Sequence, residues 1–389
     1  MNSGRTIFSQ LIDFLPGPEF RKCVARYHGN RRMRSFSCWD QLLCMIFAQL
    51  TYRESLRDIV TCLGSLGPKL YHAGFRGSLR RSTLADANER RDWRIYADFA
   101  AVLIQRARTL YRDDAFPLGL DGPAYAFDST TIDLCLKLFP WAQFRRHKSA
   151  VKLHTLVDLR GNIPCFLDIT DGKTADVTAL DELPIEAGSF YMLDRGYIDF
   201  ARLHVFTQSF AFFVTRAKTD IDFARQSYRE VDKSTGLRSD QTIVLCGPKT
   251  SQLYPQPLRR VSYHALDMKK RFVFLTNNFA LPALVIAMLY KCRWQVELFF
   301  KWIKQHLRIK SFYGNSVNAV KTQVWTALSV YALVTIVKKE LKSERSLSEI
   351  LQILSISLFE KTPLLQAFSN EYANLDDIDD HNSLPLFNL

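Results

Sequence analysis

The chain has 389 residues, enough for two or three domains, and its 47% hydrophobic content excludes a disordered protein. A net charge of +13 and a pI near 9.4 point to a polyanionic partner. Eight scattered cysteines with no CxxC pair argue against a disulfide framework or a zinc site and for free, buried thiols in a reducing compartment.

The charge is uneven. Residues 1–112 hold 17 arginines and two lysines against nine acids. Arginine in place of lysine suits bidentate contact with phosphate. The first ten residues lack the apolar stretch of a signal peptide. The longest helical apolar run, 324–337, is 14 residues and reads as too short to span a bilayer. A soluble, cytoplasmic protein with no membrane partner is expected.

Residues 1–112 are predicted to be all-helical. Helices are expected over 7–14, 20–27, 38–50, 56–63, from near Thr83, and over 93–111. Ser37 and Ser55 are good N-caps for the third and fourth. That pair and its short link have helix-turn-helix proportions, with Arg53 in the link and Arg57 on the second helix. Arg31, Arg32 and Arg34 cluster in a turn, and Arg80, Arg81, Arg90, Arg91 and Arg94 continue the basic theme. The region reads as a DNA-binding domain. A helical scaffold with a basic surface is the plainer alternative.

After a Pro/Gly/Asp-rich link at 113–123 the texture becomes α/β. Strands are expected at 124–127, 152–159, 163–169, 190–193 and 211–215, with helices over 181–187 and 199–209. Arg160, Gly161 and Asn162 form a tight turn. This order of strands and helices is what a ribonuclease H-like fold would show. Asp128 and Asp194 follow the first and fourth strands directly. Residues 216–276 break the alternation with four expected strands (227–231, 242–245, 259–265, 271–275), a β-rich insertion. One helix is then expected to run through Tyr290 to Lys304. A largely apolar helix over 319–341 packs under the core, and 346–358 is amphipathic. The tail from Glu371 is acidic.

The stretch YKCRWQVELFFKWIK, 290–304, organises the rest. Val296, Phe299, Ile303 and Leu307 fall on one side of a 3.6-residue period. Tyr290, Arg293, Glu297 and Lys304 share a second face, bordered by Trp294 and Lys301 and extended by Arg308. That face carries one carboxylate among cations and aromatics. Glu297 and Lys301 could also be an ordinary surface pair. Asp128, Asp194 and Glu297 together are a donor set for hard divalent cations. Two such ions can activate the nucleophile and stabilise the leaving oxygen in phosphodiester chemistry without any protein nucleophile. Asp133 and Asp199 compete for the two aspartate roles. Each aspartate alone could merely cap a turn.

The spacing Tyr-x2-Arg-x3-Glu-x6-Lys resembles the YREK signature of a large family of bacterial insertion-sequence DDE transposases. The resemblance covers nearly the whole chain. It includes Asp128 in AFDSTTIDL, Asp194 in MLDRGY, the complete Tyr290, Arg293, Glu297, Lys304 set, and the β-rich insertion before the third acid. The stretch RSTLADANERR, 81–91, looks like the family's N-terminal domain. The resemblance implies a helical DNA-binding domain over 1–112, a catalytic domain over 113–345 containing the insertion 216–276, and a C-terminal helix with acidic tail over 346–389. It implies catalysis of DNA transposition by Asp128, Asp194 and Glu297 with two Mg2+ ions, for which Mn2+ can substitute. Double-stranded DNA would be bound as terminal inverted repeats and as target, by a homodimer in the synaptic complex. Tyr290, Arg293 and Lys304 would contact DNA phosphates. Trp294 could stack on an unpaired base or be a core tryptophan. Lys301 would also face the DNA, and Lys148, Lys152 and His154 would line its path, unless they form a plain basic strand edge. A DDE-type nuclease without strand transfer and a catalytically idle DNA-binding derivative remain alternatives.

Overall fold

The computed structural model describes residues 4–369 apart from 117, 121, 146–147, 266–268, 308 and 310–311, and only the backbone of 143, 145 and 148. Arg308 and the acidic tail from Glu371 lie outside the described residues.

The N-terminal third is helical, as expected: α1 (Ile7–Ile12), α2 (Gly17–Arg26), α3 (Cys38–Leu50), α4 (Leu56–Gly64), α5 (Lys69–His72), α6 (Arg81–Arg90) and α7 (Arg94–Tyr111). Ser37 and Asp40 form a full capping box on α3, and Ser55 accepts from the Asp58 N–H at the start of α4. Helix α2 begins three residues before its expected start, because Pro18 is tolerated in a first turn. The one-turn α5 carries no sequence periodicity to announce it.

Strands β1 (Ala124–Leu134), β2 (Gln143–Arg145), β3 (Lys148–Asp158), β4 (Ile163–Asp171) and β5 (Phe190–Leu193) precede α8 (Phe200–Gln208) and β6 (Phe212–Arg216). Then come β7 (Phe223–Arg229), β8 (Leu237–Leu245), the short α9 (Thr250–Leu253), β9 (Leu258–Ala265) and β10 (Lys270–Thr276). All ten form one mixed sheet, in the order β2-β3-β1-β5-β6-β10-β9-β8-β7, with β4 also on β3. β1 is antiparallel to β3 and parallel to β5, which is parallel to β6. The four strands expected as an insertion are present, but β10 pairs antiparallel with β6 and so continues the same sheet.

Two expectations are corrected here. β1 does not stop at Phe127, because β3 gives it a pairing partner as far as Leu134. The expected helix over 181–187 is instead a 3-10 helix over Asp176–Glu182. Leu183 is extended, with ψ 127°, because Pro184 disfavours helical geometry in the residue before it.

The chain ends in helices α10 (Ala283–Cys292), α11 (Trp294–His306), α12 (Val317–Glu340), α13 (Leu347–Ser357) and α14 (Leu364–Ala367). The single helix expected through 290–304 is therefore two, broken at Arg293. The break is a tight turn in which the Arg293 N–H donates to the Tyr290 carbonyl and the Val296 N–H to the Arg293 carbonyl, both 3.1 Å. Helix α12 spans 24 residues, close to the helix expected over 319–341, and is long and apolar enough to cross a membrane by length and composition. Its residues are nevertheless buried, packed against α3, α6, α7 and α13.

One continuous core links the helices to one face of the sheet, from Ile7 and Phe8 through Ile95, Phe99 and Val334 to Leu354 and Phe368. A second cluster on the other face gathers Phe127, Tyr191, Tyr197, Phe206 and Phe213. The chain's two ends meet: the Ile7 N–H donates to the Glu360 carbonyl (2.9 Å) and the Phe8 N–H to the Leu358 carbonyl (2.7 Å). Of the cysteines, Cys23, Cys38 and Cys44 are buried, but Cys135 and Cys246 are exposed, and all eight are free thiols.

Candidate active site

Strand alternation sets which side chains can meet. Ala124 and Ala126 of β1 enter the core shared with the helices, while Tyr125 and Phe127 enter the second cluster. Asp128 therefore points toward the helices. On β5, Phe190 and Met192 face that same side. The parallel register pairs Phe127 with Leu193, so the next residues along are Asp128 and Asp194. Two neighbouring strands, roughly 4.8 Å apart, thus deliver one carboxylate each to one place.

Helix α11 crosses this point, packed against β1 and β3. Val296, Phe299, Ile303 and Leu307 are buried, as their spacing requires. Polar side chains from the end of α10, from the break at Arg293 and from α11 reach the sheet. Arg293 Nη1 donates to Asp128 Oδ2 (2.8 Å) and Nη2 to Glu297 Oε1 (2.5 Å). The Tyr290 hydroxyl donates to Asp194 Oδ1 (3.2 Å). Lys304 Nζ donates to Thr130 Oγ1 (2.5 Å) and to the Thr131 carbonyl (3.0 Å). The structure therefore brings Asp128, Asp194, Glu297, Tyr290, Arg293 and Lys304 together.

Burial governs the electrostatics. It pushes the Asp128 carboxyl up to about 6, and the nearby charges of Asp194 and Glu297 add to the rise, while the Ser129 N–H and Arg293 oppose it. Burial likewise pushes the Tyr290 phenol to about 12. For Arg293 burial works toward a lower pKa, but the hydrogen bond to Glu297 and the charges around it leave it raised. Two buried polar atoms beside the acids have no hydrogen-bond partner among the described residues: Arg293 Nε, and Thr155 Oγ1, whose residue pairs with Asp128 across β1 and β3.

Comparison with known proteins decides the family. The transposase DDE domain model matches residues 119–333, more than half the chain. The chain belongs to the DDE transposase family. A second model, described as a domain of unknown function (DUF4372), matches residues 3–76. The chain is 38% identical over 258 residues to the provisionally named transposase y4zB of Sinorhizobium fredii, covering 65% of this chain and 70% of that one. It is 29% identical over 226 residues to a protein of Geobacillus stearothermophilus, provisionally named a transposase for the insertion sequence element IS5377, covering 58% of this chain and 59% of that one. A cryo-EM structure of a piggyBac transposase synaptic complex with hairpin DNA is similar at 10% identity and a TM-score of 0.48, over 97% of this chain and 86% of that one.

Not every residue expected at this transposase's site reaches it. Trp294 is 55% exposed, so it is not a core tryptophan. Lys301 is exposed one helical turn beyond Glu297. Lys148 opens β3, and its side chain is outside the described residues. Lys152 and His154 stand apart from the acids. They pair with Thr131 and Ser129, and so lie on the sheet face opposite Asp128. There Lys152 Nζ donates to the Thr174 carbonyl (2.7 Å) and pairs with Asp176 (3.2 Å), while His154 is fully buried. Arg53 is held locally: its guanidinium donates to the Thr51 carbonyl and pairs with Asp58 (3.3 Å), holding the α3–α4 link. Arg57, Arg31, Arg32, Arg34, Arg80 and Arg81 are exposed. The competing acids are accounted for: Asp133 is exposed on the other face of β1, and Asp199 caps α8 and pairs with Arg202 (3.0 Å).

Two residues were missed in the sequence. Asp176 accepts from Ser129 Oγ (2.8 Å), behind Asp128. Thr155 stands in register with Asp128. Strand pairing would have revealed Thr155, and the fold of the following segment Asp176, and neither is written locally.

The three carboxylates suit Mg2+ in their donor chemistry, since hard cations take oxygen ligands. Among the described residues, no set of three or more His, Cys, Asp and Glu side chains is gathered closely enough to hold a metal ion. The Arg293 guanidinium lies between two of the three acids.

Proposed function

We propose that Asp128, Asp194 and Glu297 are the catalytic acids of this DDE transposase and the ligands of its two Mg2+ ions, in a ribonuclease H-like core. The observation that carries the reading is the convergence of all three acids on one face. The β1–β5 register sets Asp128 beside Asp194, and one guanidinium joins Asp128 to Glu297 of α11. The strand order supports the ribonuclease H-like reading, with an antiparallel β1, β3, β4 group continued by parallel β5 and β6.

Divalent cations held by these acids would activate water or a DNA 3′-OH for attack and stabilise the leaving oxygen. The chain's own residues set the stage. Asp128 and Asp194 are fixed on two paired strands, and α11 brings Glu297 to them. Lys304 locks α11 to β1. Trp294 and Lys301 offer an aromatic ring and a positive charge on the exposed side of the same helix, where a DNA end can lie. The terminal inverted repeats would be bound by exposed arginines of residues 1–112, Arg57 among them, ahead of a core over 113–345. Two ends would be worked on at once by a homodimer, joined to target DNA through 3′-OH attack.

The test is cleavage and strand transfer on duplex DNA carrying the element's terminal repeat, with Mg2+ or EDTA. The expected result is metal-dependent nicking and joined products for the wild type. Asp128→Asn, Asp194→Asn and Glu297→Gln should bind DNA but make no product. A Glu297→Gln variant as active as wild type would overturn the assignment. Nicking without joining of precut ends would make the protein a nuclease.

A further inference from the structure

Arg293 holds an unusual position for a residue expected to meet DNA. Asp128 stands on a strand and Glu297 on a helix, and one guanidinium spans both carboxylates, at 2.8 and 2.5 Å. The Arg293 side chain is only 13% exposed, and its Nε has no hydrogen-bond partner among the described residues. A guanidinium has five donors in a fixed fork, so this one makes less than its full set of bonds here. Arg293 also sits at the break between α10 and α11, where backbone bonding is of the tight i to i−3 kind. Its Tyr290 neighbour holds the remaining acid, Asp194.

A fixed positive charge and divalent cations cannot share the same two carboxylates without strong repulsion. A DNA phosphate, by contrast, is a bidentate partner that a guanidinium takes readily. We propose that Arg293 is a displaceable clamp: without DNA it bridges Asp128 and Glu297 and keeps divalent cations weakly bound, and an arriving DNA phosphate draws the guanidinium away and releases both acids to the metal. The proposal rests on the reading of these acids as cation ligands. It assigns Arg293 a positioning role that couples metal loading to DNA binding. No covalent step is involved.

The probe is Mn2+, with binding to the full chain read from the electron paramagnetic resonance of the free ion. Without DNA, Arg293→Gln should bind Mn2+ about tenfold more tightly than wild type, a coupling of ordinary size. Arg293→Lys keeps the charge but loses the rigid planar fork that spans the two carboxylates here, and should bind about threefold more tightly. Circular dichroism checks folding, and the lysine variant decides if the glutamine variant is unfolded. Duplex DNA should then tighten Mn2+ binding more in wild type than in Arg293→Gln. The clamp is overturned if both arginine variants bind Mn2+ no more tightly than wild type, or if DNA tightens all of them equally. Asp128→Asn separates the two failures. If it weakens Mn2+ binding while the arginine variants change nothing, only the clamp falls. If Mn2+ binding ignores both Asp128→Asn and Glu297→Gln, the acids are not ligands and both readings fall.

Discussion

Lys304 and Thr130 join the last turn of α11 to the strand that carries Asp128: Lys304 Nζ donates to Thr130 Oγ1 at 2.5 Å, two residues beyond the acid. At the other end of α11, Arg293 bonds Asp128 itself. The helix that presents Glu297 is thus tied to β1 at both ends.

Lys304→Met should therefore act through position as well as through charge. Losing a charged hydrogen bond at a half-buried site costs roughly 1.5–3 kcal/mol. Thermal melting should register this as a lower Tm, and end cleavage should fall although all three acids remain. An unchanged Tm would reduce Lys304 to a phosphate contact.

Much of this was legible in the sequence, for physical reasons. The 3.6-residue spacing of Val296, Phe299, Ile303 and Leu307 placed the core face of α11, and so its polar face. The apolar run 124–127 placed Asp128 at the end of a strand, and Ser37 and Ser55 announced two helix starts. What was not legible depended on how the chain pairs and folds. β1 runs on past Asp128 only because β3 pairs with it, and the same register turns Lys152 and His154 away from the acids. Arg53 was legible as a cation of the link, but its bonds to Asp58 and the Thr51 carbonyl form only once that link is folded. The break at Arg293 leaves no mark in composition, since no proline or glycine stands near it.

The helical third and the sheet should unfold as one unit. Phe8 is fully buried against the rings of Phe75 (centroids 6.2 Å apart) and Phe359 (5.8 Å), drawn from both ends of the chain. Phe8→Ala should cost about 3–5 kcal/mol. Calorimetry should show a single transition that moves as a whole. A fragment of residues 113–389 exposes the α12 surface that α3, α6 and α7 cover, and should lack a cooperative melt. Separate transitions would show independently stable domains.

His154 gives a pH dependence with a definite sign. Burial lowers its pKa; Asp176 and Asp168 oppose the shift and Lys152 reinforces it. A base with a depressed folded pKa stabilises the protein above its unfolded value, near 6.5, and that contribution is lost as pH falls. Nδ1 makes no hydrogen bond among the described residues and lies 4.0 Å from Asp176 Oδ1, and Nε2 meets Thr170 Oγ1 at 2.9 Å. Denaturant melts at pH 7.5 and pH 5 should show wild-type stability falling with pH. His154→Gln should show a shallower fall. Equal slopes would mean that His154 charges without penalty.

Trp294 tests the DNA face apart from the metal. It is 55% exposed, one residue after Arg293 and three before Glu297. An indole so open adds little to folding, so Trp294→Ala should shift stability by no more than about 0.5 kcal/mol. If the ring stacks on a base of the DNA end, its loss should weaken end binding by about 1–3 kcal/mol, read by titration with fluorescent duplex. The loss should be greatest for ends with unpaired terminal bases, because stacking offsets the cost of unpairing. Unchanged binding would leave Trp294 a surface aromatic. A large drop in Tm would mean that it positions the start of α11, and with it Glu297.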